Sequence, residues 1–272
     1  MLKVSDLYIY PIKSLRGIKV NHAEVTDRGF KHDRRWMLVD DNNRFISQRE
    51  VARMALLKVA IEDDGLKVSF NETSVTIPFR VENKVFVQVT IWDDSCKAQL
   101  IDTTIDQWFT DVLGKRCRLV YMPDKSLRET DPKYTPDGYI TSFADAYPFL
   151  LISQASLNNL NSRMDIELHM DRFRPNIVIE GSSPYQEDTM NQLAINGVNF
   201  SGVKLCARCN IPTIDQQTAK AGKEPSKTMA KYRLKNNKIY FGQNLISSGT
   251  GLISIGDNVD VLSTHTEERF II

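Results

Sequence analysis

The feature that most constrains this chain is a succession of short β-type runs, separated by turn residues, through the first hundred positions. Residues 4–10 are strand-like and stop at Pro11. Residues 36–39 and 44–46 flank Asp40-Asp41-Asn42-Asn43, which reads as a hairpin turn. Residues 66–70, 74–77 and 85–91 continue the series. In the last run Val85, Val87 and Val89 alternate with Phe86 and Gln88, the mixture expected of a strand covered on both sides. Short strands at this spacing imply a sandwich or barrel.

Helical signals begin later. Thr104 with Gln107 resembles a capping box, Ile105, Trp108, Phe109 and Val112 line one face, and Gly114 ends the helix. Residues 122–138 are polar, contain three prolines and show no periodicity, so they read as a surface loop. At this length such a loop can edge a substrate or donor entrance, with Lys125, Arg128 and Lys133 upon it. Pro148 opens the apolar run 149–152, and a helix is expected over 153–164. Arg174-Pro175-Asn176 opens a β-branched strand over 177–179, which ends at Gly181. Strands over 192–195 and 198–205, a short helix over 226–233 and strands over 252–255 and 259–262 complete the pattern, without internal repeats.

The strand at 198–205 leads into Cys206-Ala207-Arg208-Cys209, two of the four cysteines in 272 residues with an arginine between them. Arginine favours thiolate over thiol, and a thiolate can ligate a metal, carry a persulfide or attack an electrophile. Ordinary core cysteines also fall this close together. A structural zinc site needs four ligands, but Cys96, Cys117, His22, His32, His169 and His265 are scattered singly. A thioredoxin-like pair opens a helix, whereas Asn210, Pro212 and Asp215 favour a loop. The cysteines do not form a secreted disulfide framework. The N-terminus lacks the apolar core of a signal peptide, which suggests a cytoplasmic protein. No apolar run approaches the ~18 residues of a membrane-spanning helix. A net charge of +1, from 35 basic and 34 acidic residues, argues against general nucleic-acid binding.

A second constellation is basic. Lys13 and Ser14 follow the first strand, and Arg16, Arg34, Arg35, Arg174 and Arg208 stand at strand ends or in turns. Converging, they would suit a phosphate, because the planar guanidinium fork makes bidentate contacts with one. The pairs Asp40-Asp41 and Asp93-Asp94 are placed for turn chemistry. No nucleophile elbow, dinucleotide fingerprint or phosphate loop is present.

Five motifs carry a family resemblance. Tyr10-Pro11-Ile12-Lys13-Ser14-Leu15-Arg16-Gly17 and Asp33-Arg34-Arg35-Trp36 resemble the N-terminal β-barrel domain that precedes a MOSC domain. Tyr147-Pro148-Phe149-Leu150-Leu151-Ile152-Ser153, Phe173-Arg174-Pro175-Asn176 and Cys206-Ala207-Arg208-Cys209 resemble the MOSC domain itself. In this order they resemble the mitochondrial amidoxime reducing component and its bacterial relatives across essentially the whole chain. The resemblance implies a mainly β fold with a few helices (α+β): a β-barrel-like domain over residues 1–95 and a β-rich MOSC domain over 96–272. It implies a molybdenum cofactor, a pterin dithiolene with a terminal phosphate. Cys209 matches the position that gives a thiolate to the metal, with a catalytic role, and Lys13, Ser14, Arg34, Arg174, Asn176 and Arg208 match cofactor contacts. Arg208 is expected to keep Cys209 deprotonated. Three positions depart from the family: Ala146-Tyr147 where Thr-Ser is frequent, Ala207 where Ser is frequent, and Asn244 where an aromatic can stand.

The implied activity is reduction of N-hydroxylated compounds such as amidoximes, hydroxylamines and N-hydroxylated bases. Some bacterial relatives carry an iron–sulfur domain, for which this chain lacks the cysteines. Electrons are therefore expected from a separate protein, a ferredoxin or a b-type cytochrome with its reductase. The alternative is a sulfur carrier or cofactor-handling module, with a persulfide on Cys209 or Cys206.

Overall fold

The computed structural model describes residues 1–267 and 269. Among these residues nine strands join in one sheet. Its main path runs Val259–Thr264, Met190–Ile195, Val198–Ala207, Lys238–Ser247, Phe149–Ser153, Ile177–Glu180, Lys3–Ile9, Ile18–Val20, and Leu234–Lys235 pairs onto Lys238–Ser247. Phe149–Ser153 and Ile177–Glu180 are parallel, and helix Gln154–Asn161 lies in the crossover that a parallel pair requires. A four-stranded sheet orders Trp36–Val39, Arg118–Tyr121, Asp94–Leu100 and Phe86–Ile91. The hairpin strands Lys58–Ile61, Gly65–Phe70 and Thr73–Pro78 form a third sheet, and Gly251–Ser254, His22–Thr26 and Gly29–Phe30 a fourth. The fold is mainly β with a few helices.

The apolar run at 149–152 shows how the sequence dictates this. Successive strand residues point to opposite faces. Phe149 and Leu151 join one core with Ile177, Ile179 and Phe200. Leu150 and Ile152 join another with Val178, Leu157 and Phe241. Both faces are covered, so the run is apolar without alternation. Trp36–Val39 divides in the same way: Trp36 and Leu38 pack with Phe109, while Met37 and Val39 pack with Phe45 and Val89. Each fully buried large side chain contributes about 1.5–3 kcal/mol.

Several elements differ from expectation. Helix Thr103–Leu113 is capped by Asp102, whose carboxylate accepts from Thr104 N at 2.7 Å, while Gln107 bonds Asp111. The carboxylate stands at the N-cap itself, two residues before Thr104, and a charged acceptor suits the first turn. Helix Gln154–Asn161 stops before residue 164, because the Asn161 amide bonds Leu168 N and Leu168 O of the returning chain. The helix at 226–233 is one turn, Ser226–Met229. Strand Phe86–Ile91 is not covered on both sides: Val85 is 54% and Phe86 43% exposed, because this strand is the edge of its sheet. Residues 122–138 are not a plain surface loop, since Ser126, Arg128, Thr130 and Thr135 are buried.

Candidate active site

Two turns distant in sequence are stitched together by backbone hydrogen bonds. Arg34 N donates to Tyr10 O at 2.8 Å, Lys13 N to Trp36 O at 2.8 Å, and Trp36 N to Pro11 O at 3.1 Å. This brings Lys13 and Ser14 beside Arg34. The Arg174-Pro175-Asn176 turn reaches them through Tyr10, whose hydroxyl donates to Pro175 O at 2.9 Å. Strand Val198–Ala207 ends at the same place, and Arg208 N donates to Ile239 O at 2.7 Å. The result is one cleft. Lys13, Ser14, Arg34, Arg174, Asn176, Arg208 and Cys209, the seven positions that the family resemblance marks as cofactor or metal contacts, line it.

Three of them hold left-handed backbone: φ is 67° at Ser14, 50° at Arg34 and 56° at Arg174. Non-glycine residues rarely adopt this conformation, and such strain concentrates at binding sites. Tyr10 organises the arginines. Its buried ring lies 4.2 Å from the Arg34 guanidinium carbon and 4.3 Å from that of Arg174, which attracts both cations to its π face.

The partners of each cation differ. Arg34 Nη1 donates to Asp33 Oδ2 at 2.7 Å and to Asn176 Oδ1 at 3.0 Å. Asp33 is buried and also accepts from Tyr10 N. Burial raises its pKa, against the pull of Arg34. Lys13 Nζ donates to Phe143 O at 2.7 Å and pairs with Asp145 Oδ1 at 2.6 Å. Burial brings the Lys13 pKa down to about 8 although Asp145 opposes this. The protein around the cleft mouth acts to raise the Asp145 carboxyl, although that side chain is 62% accessible, but the Lys13 ammonium holds it well below the usual carboxylate range. Arg174 donates from Nη1 to Leu15 O at 2.7 Å and, among the described residues, has no carboxylate partner. Burial lowers its pKa to about 10.

Arg208 corrects one expectation. Its Nη1 lies 3.2 Å from Cys206 Sγ, and its Nη2 donates to Phe173 O at 2.6 Å. The arginine therefore addresses Cys206, two residues back along the extended chain, and not Cys209. Burial pushes the Cys206 thiol up and Arg208 partly offsets it. Both cysteines of the pair are free thiols, half-buried at the cleft wall. Arg16 and Arg35 do not line the cleft. Arg16 borders a neighbouring hollow, and Arg35 is held by Met122 O and Asp124. Cys96 and Cys117 are buried elsewhere, with pKa values pushed up to about 11.

Sequence reasoning missed Arg49 and Asp145, and it placed Arg128 on the surface. Arg49 and Asp145 line the cleft. Arg128, expected on an exposed loop, is buried and clamps the cleft wall: it bonds Asp94, Ser142 O, Ala144 O and Asp145 O.

Five cations (Lys13, Arg34, Arg49, Arg174, Arg208) line this cleft against one lining carboxylate, Asp145. Arg208 Nε is buried without a partner. Such an excess fits an anionic ligand with several acceptor oxygens. Among the described residues no three His, Cys, Asp or Glu side chains gather to hold a metal. Cys209 can therefore be at most one ligand of a metal whose other ligands come with a bound group. A phosphate-bearing dithiolene cofactor meets both conditions, so the residues fit the implied group. No helix among the described residues is long and apolar enough to cross a membrane.

Comparison with known proteins identifies the family. Residues 1–116 match the family described as MOSC N-terminal beta barrel domain, and residues 138–260 match the MOSC domain. Mitochondrial amidoxime-reducing component 1 of Mus musculus is 32% identical over 95% of this chain and 82% of its own length. Mitochondrial amidoxime reducing component 2 of Rattus norvegicus is 31% identical over 94% of this chain and 82% of its own length. The molybdenum cofactor sulfurase of Oryza sativa subsp. japonica is 28% identical over 89% of this chain but only 32% of its own length. With both domains present and near-full-length similarity to these reducing components, the chain belongs to the MOSC-domain family of the amidoxime reducing components.

Proposed function

We propose that this protein is a molybdenum-cofactor-dependent oxidoreductase that reduces N-hydroxylated compounds with electrons from a separate donor protein. The observation that carries the reading is the convergence of Lys13, Arg34, Arg174 and Arg208 with the Cys209 thiol on one cleft. The names of the animal relatives support an amidoxime-reducing activity, and that of the rice relative supports an association with molybdenum cofactor.

In this reading Cys209 supplies the protein's ligand to the metal. Arg174, buried and forming no ion pair among the described residues, would help hold an anionic group of the cofactor together with Arg208. Arg34 is held in place by Asp33 and Asn176. Asn176 is braced in turn, with its amide bonded to Tyr8 O and Leu150 N, so it acts as a strut for Arg34 as well as a lining group. Lys13 and Asp145 place an ion pair on the wall, and the clamp from Arg128 keeps that wall in register. The bound cofactor supplies two-electron chemistry that cleaves the N–O bond: with two electrons and two protons, the N-hydroxyl compound gives its N–H counterpart and water. The protein's share is to hold, orient and charge-match the group.

The test is donor-dependent turnover. The purified, molybdenum-loaded chain is given benzamidoxime and reduced nicotinamide, with and without a ferredoxin or b-type cytochrome and its reductase. Benzamidine should form only with the donor present. Turnover with reduced nicotinamide alone would remove the donor requirement. Inactivity with every donor at full molybdenum loading would overturn the reductase, and labile sulfur on metal-free protein would favour the sulfur carrier.

A further inference from the structure

We propose that Arg49, mounted on the ring of Trp92, is an anion-binding side chain of the cleft. This extends the reading of the cleft as a cofactor and substrate site.

Arg49 lines the cleft, yet its interactions with the protein leave its outer edge free. Its Nε lies 3.3 Å from Ser47 Oγ. Among the described residues neither Nη atom has a hydrogen-bond acceptor and no carboxylate pairs with it. Its guanidinium carbon rests 4.0 Å from the Trp92 ring centroid and 5.6 Å from that of Phe45. A cation–π contact uses the face of the guanidinium and leaves the Nη fork available to an oxyanion in its plane.

The platform is held at a conformational disadvantage. Ile91 pairs with Asp94, so Trp92 and Asp93 are the two central residues of a hairpin turn. Trp92 has φ 58°. A positive φ at the first central position is the type II′ pattern, where glycine is the usual choice. A tryptophan is a poor fit there, and at 38% exposure its burial does not account for it. What the residue does achieve is to meet Phe45, at 5.2 Å, and to carry Arg49. Strain kept beneath a cleft-lining cation whose guanidinium, among the described residues, forms no ion pair, with Asp145 acting on it only through space, points to a ligand contact. The ligand chemistry is an oxyanion. It belongs either to the terminal phosphate of the cofactor or to a carboxylate or phosphate on the substrate.

Three variants test this: Arg49→Met, which keeps the stem without charge; Trp92→Asn, which suits the turn but removes the platform; and Trp92→Phe, which retains a ring. Thermal melts of the purified chain titrated with inorganic phosphate give a readout independent of turnover. Phosphate should raise the melting temperature of the unaltered protein. Arg49→Met should weaken that response about tenfold or more, as loss of a charge-assisted contact requires. Trp92→Asn should weaken it in the same direction without lowering the melting temperature measured in the absence of phosphate, and Trp92→Phe should largely restore it. Molybdenum and pterin content, with KM for 4-carboxybenzamidoxime against benzamidoxime, separate the two sources. Lost cofactor in Arg49→Met assigns the cofactor's phosphate. Full cofactor with KM raised only for the carboxylated substrate assigns the substrate. The proposal is overturned if Arg49→Met leaves the phosphate response, cofactor content and KM ratio unchanged. It is also overturned if Trp92→Asn lowers the melting temperature while phosphate binding stays intact. Should the unaltered protein hold no molybdenum, the reductase reading fails, but the phosphate titration still decides Arg49.

Discussion

Replacing Arg128 with methionine probes how the cleft wall is built. The Arg128 side chain is 2% accessible, and its Nε and Nη2 donate to Asp94 Oδ2 at 3.0 and 2.7 Å. Its Nη1 donates to Ser142 O at 3.0 Å and Ala144 O at 2.5 Å, and Nη2 also donates to Asp145 O at 2.9 Å. Each hydrogen bond to a charged group is worth about 1.5–3 kcal/mol, though bonds sharing one guanidinium do not add. Breaking a buried charged pair costs about 3–5 kcal/mol. Asp94 is 51% accessible and is rehydrated when the arginine leaves, so the lower end applies. Arg128→Met should therefore destabilise by about 3 kcal/mol, which for a chain of this size lowers the melting temperature by about 6–12 °C. Asp94→Asn, removing only the exposed partner's charge, should cost about 1 kcal/mol or less. Thermal and urea melts measure both, and the cofactor content of each variant reports on the wall. An Arg128→Met variant within about 1 kcal/mol of the parent would refute the reasoning, because ordinary surface substitutions do no worse. So would equal losses in the two variants, since the carbonyl clamp would then contribute nothing.

Two further predictions concern the cations. A Cβ at Gly17 would lie 2.3 Å from Tyr10 Cε1, and the Tyr10 ring is pinned by its hydroxyl bond to Pro175 O. Gly17→Ala should cost about 1–3 kcal/mol by overpacking and weaken anion binding through Arg34 and Arg174; unchanged melts and unchanged phosphate affinity would count against the Tyr10 platform. Lys13 has its pKa lowered by burial to about 8, so anion affinity should fall as pH rises through about 8, and Lys13→Met should flatten that dependence in a pH-resolved phosphate titration. The stability sign is opposite: the unfolded lysine keeps its proton to about 10.4, so between these pH values the unfolded state binds more protons and this group's contribution rises with pH.

The strands that carry the site were legible because both their faces are apolar, as at 149–152 and 177–179. The basic residues at their ends were visible as a set, but their convergence was not, since it rests on backbone bonds between segments such as 10–13 and 34–36. Arg128 was read as a loop residue near an entrance because a polar, proline-containing stretch suggests solvent, whereas its buried guanidinium replaces solvent for three carbonyls. Strand Lys238–Ser247 was missed because Gly242, Gln243 and Asn244 interrupt its apolar pattern. Gly242 has φ 81°, and a Cβ there would lie 2.8 Å from Leu151 O, so the glycine permits close approach of the neighbouring strand. Gln243 is buried and donates to Met190 O at 2.6 Å. The Arg208–Cys206 contact follows from extended chain, in which residues two apart share a side, but the adjacency of Arg208 to Cys209 drew the reading to the other thiol.

The central claim is that Cys209, within this cationic cleft, binds a molybdenum cofactor. It is tested most directly by metal analysis, using mass spectrometry, of the chain and its two cysteine variants produced in a cofactor-competent host. The account predicts close to one molybdenum per chain in the unaltered protein and in Cys206→Ala, and loss of molybdenum in Cys209→Ala with an unchanged melting profile for the metal-free fold. Molybdenum retained by Cys209→Ala but lost from Cys206→Ala would contradict the ligand assignment, and an unaltered protein without molybdenum would contradict the account itself.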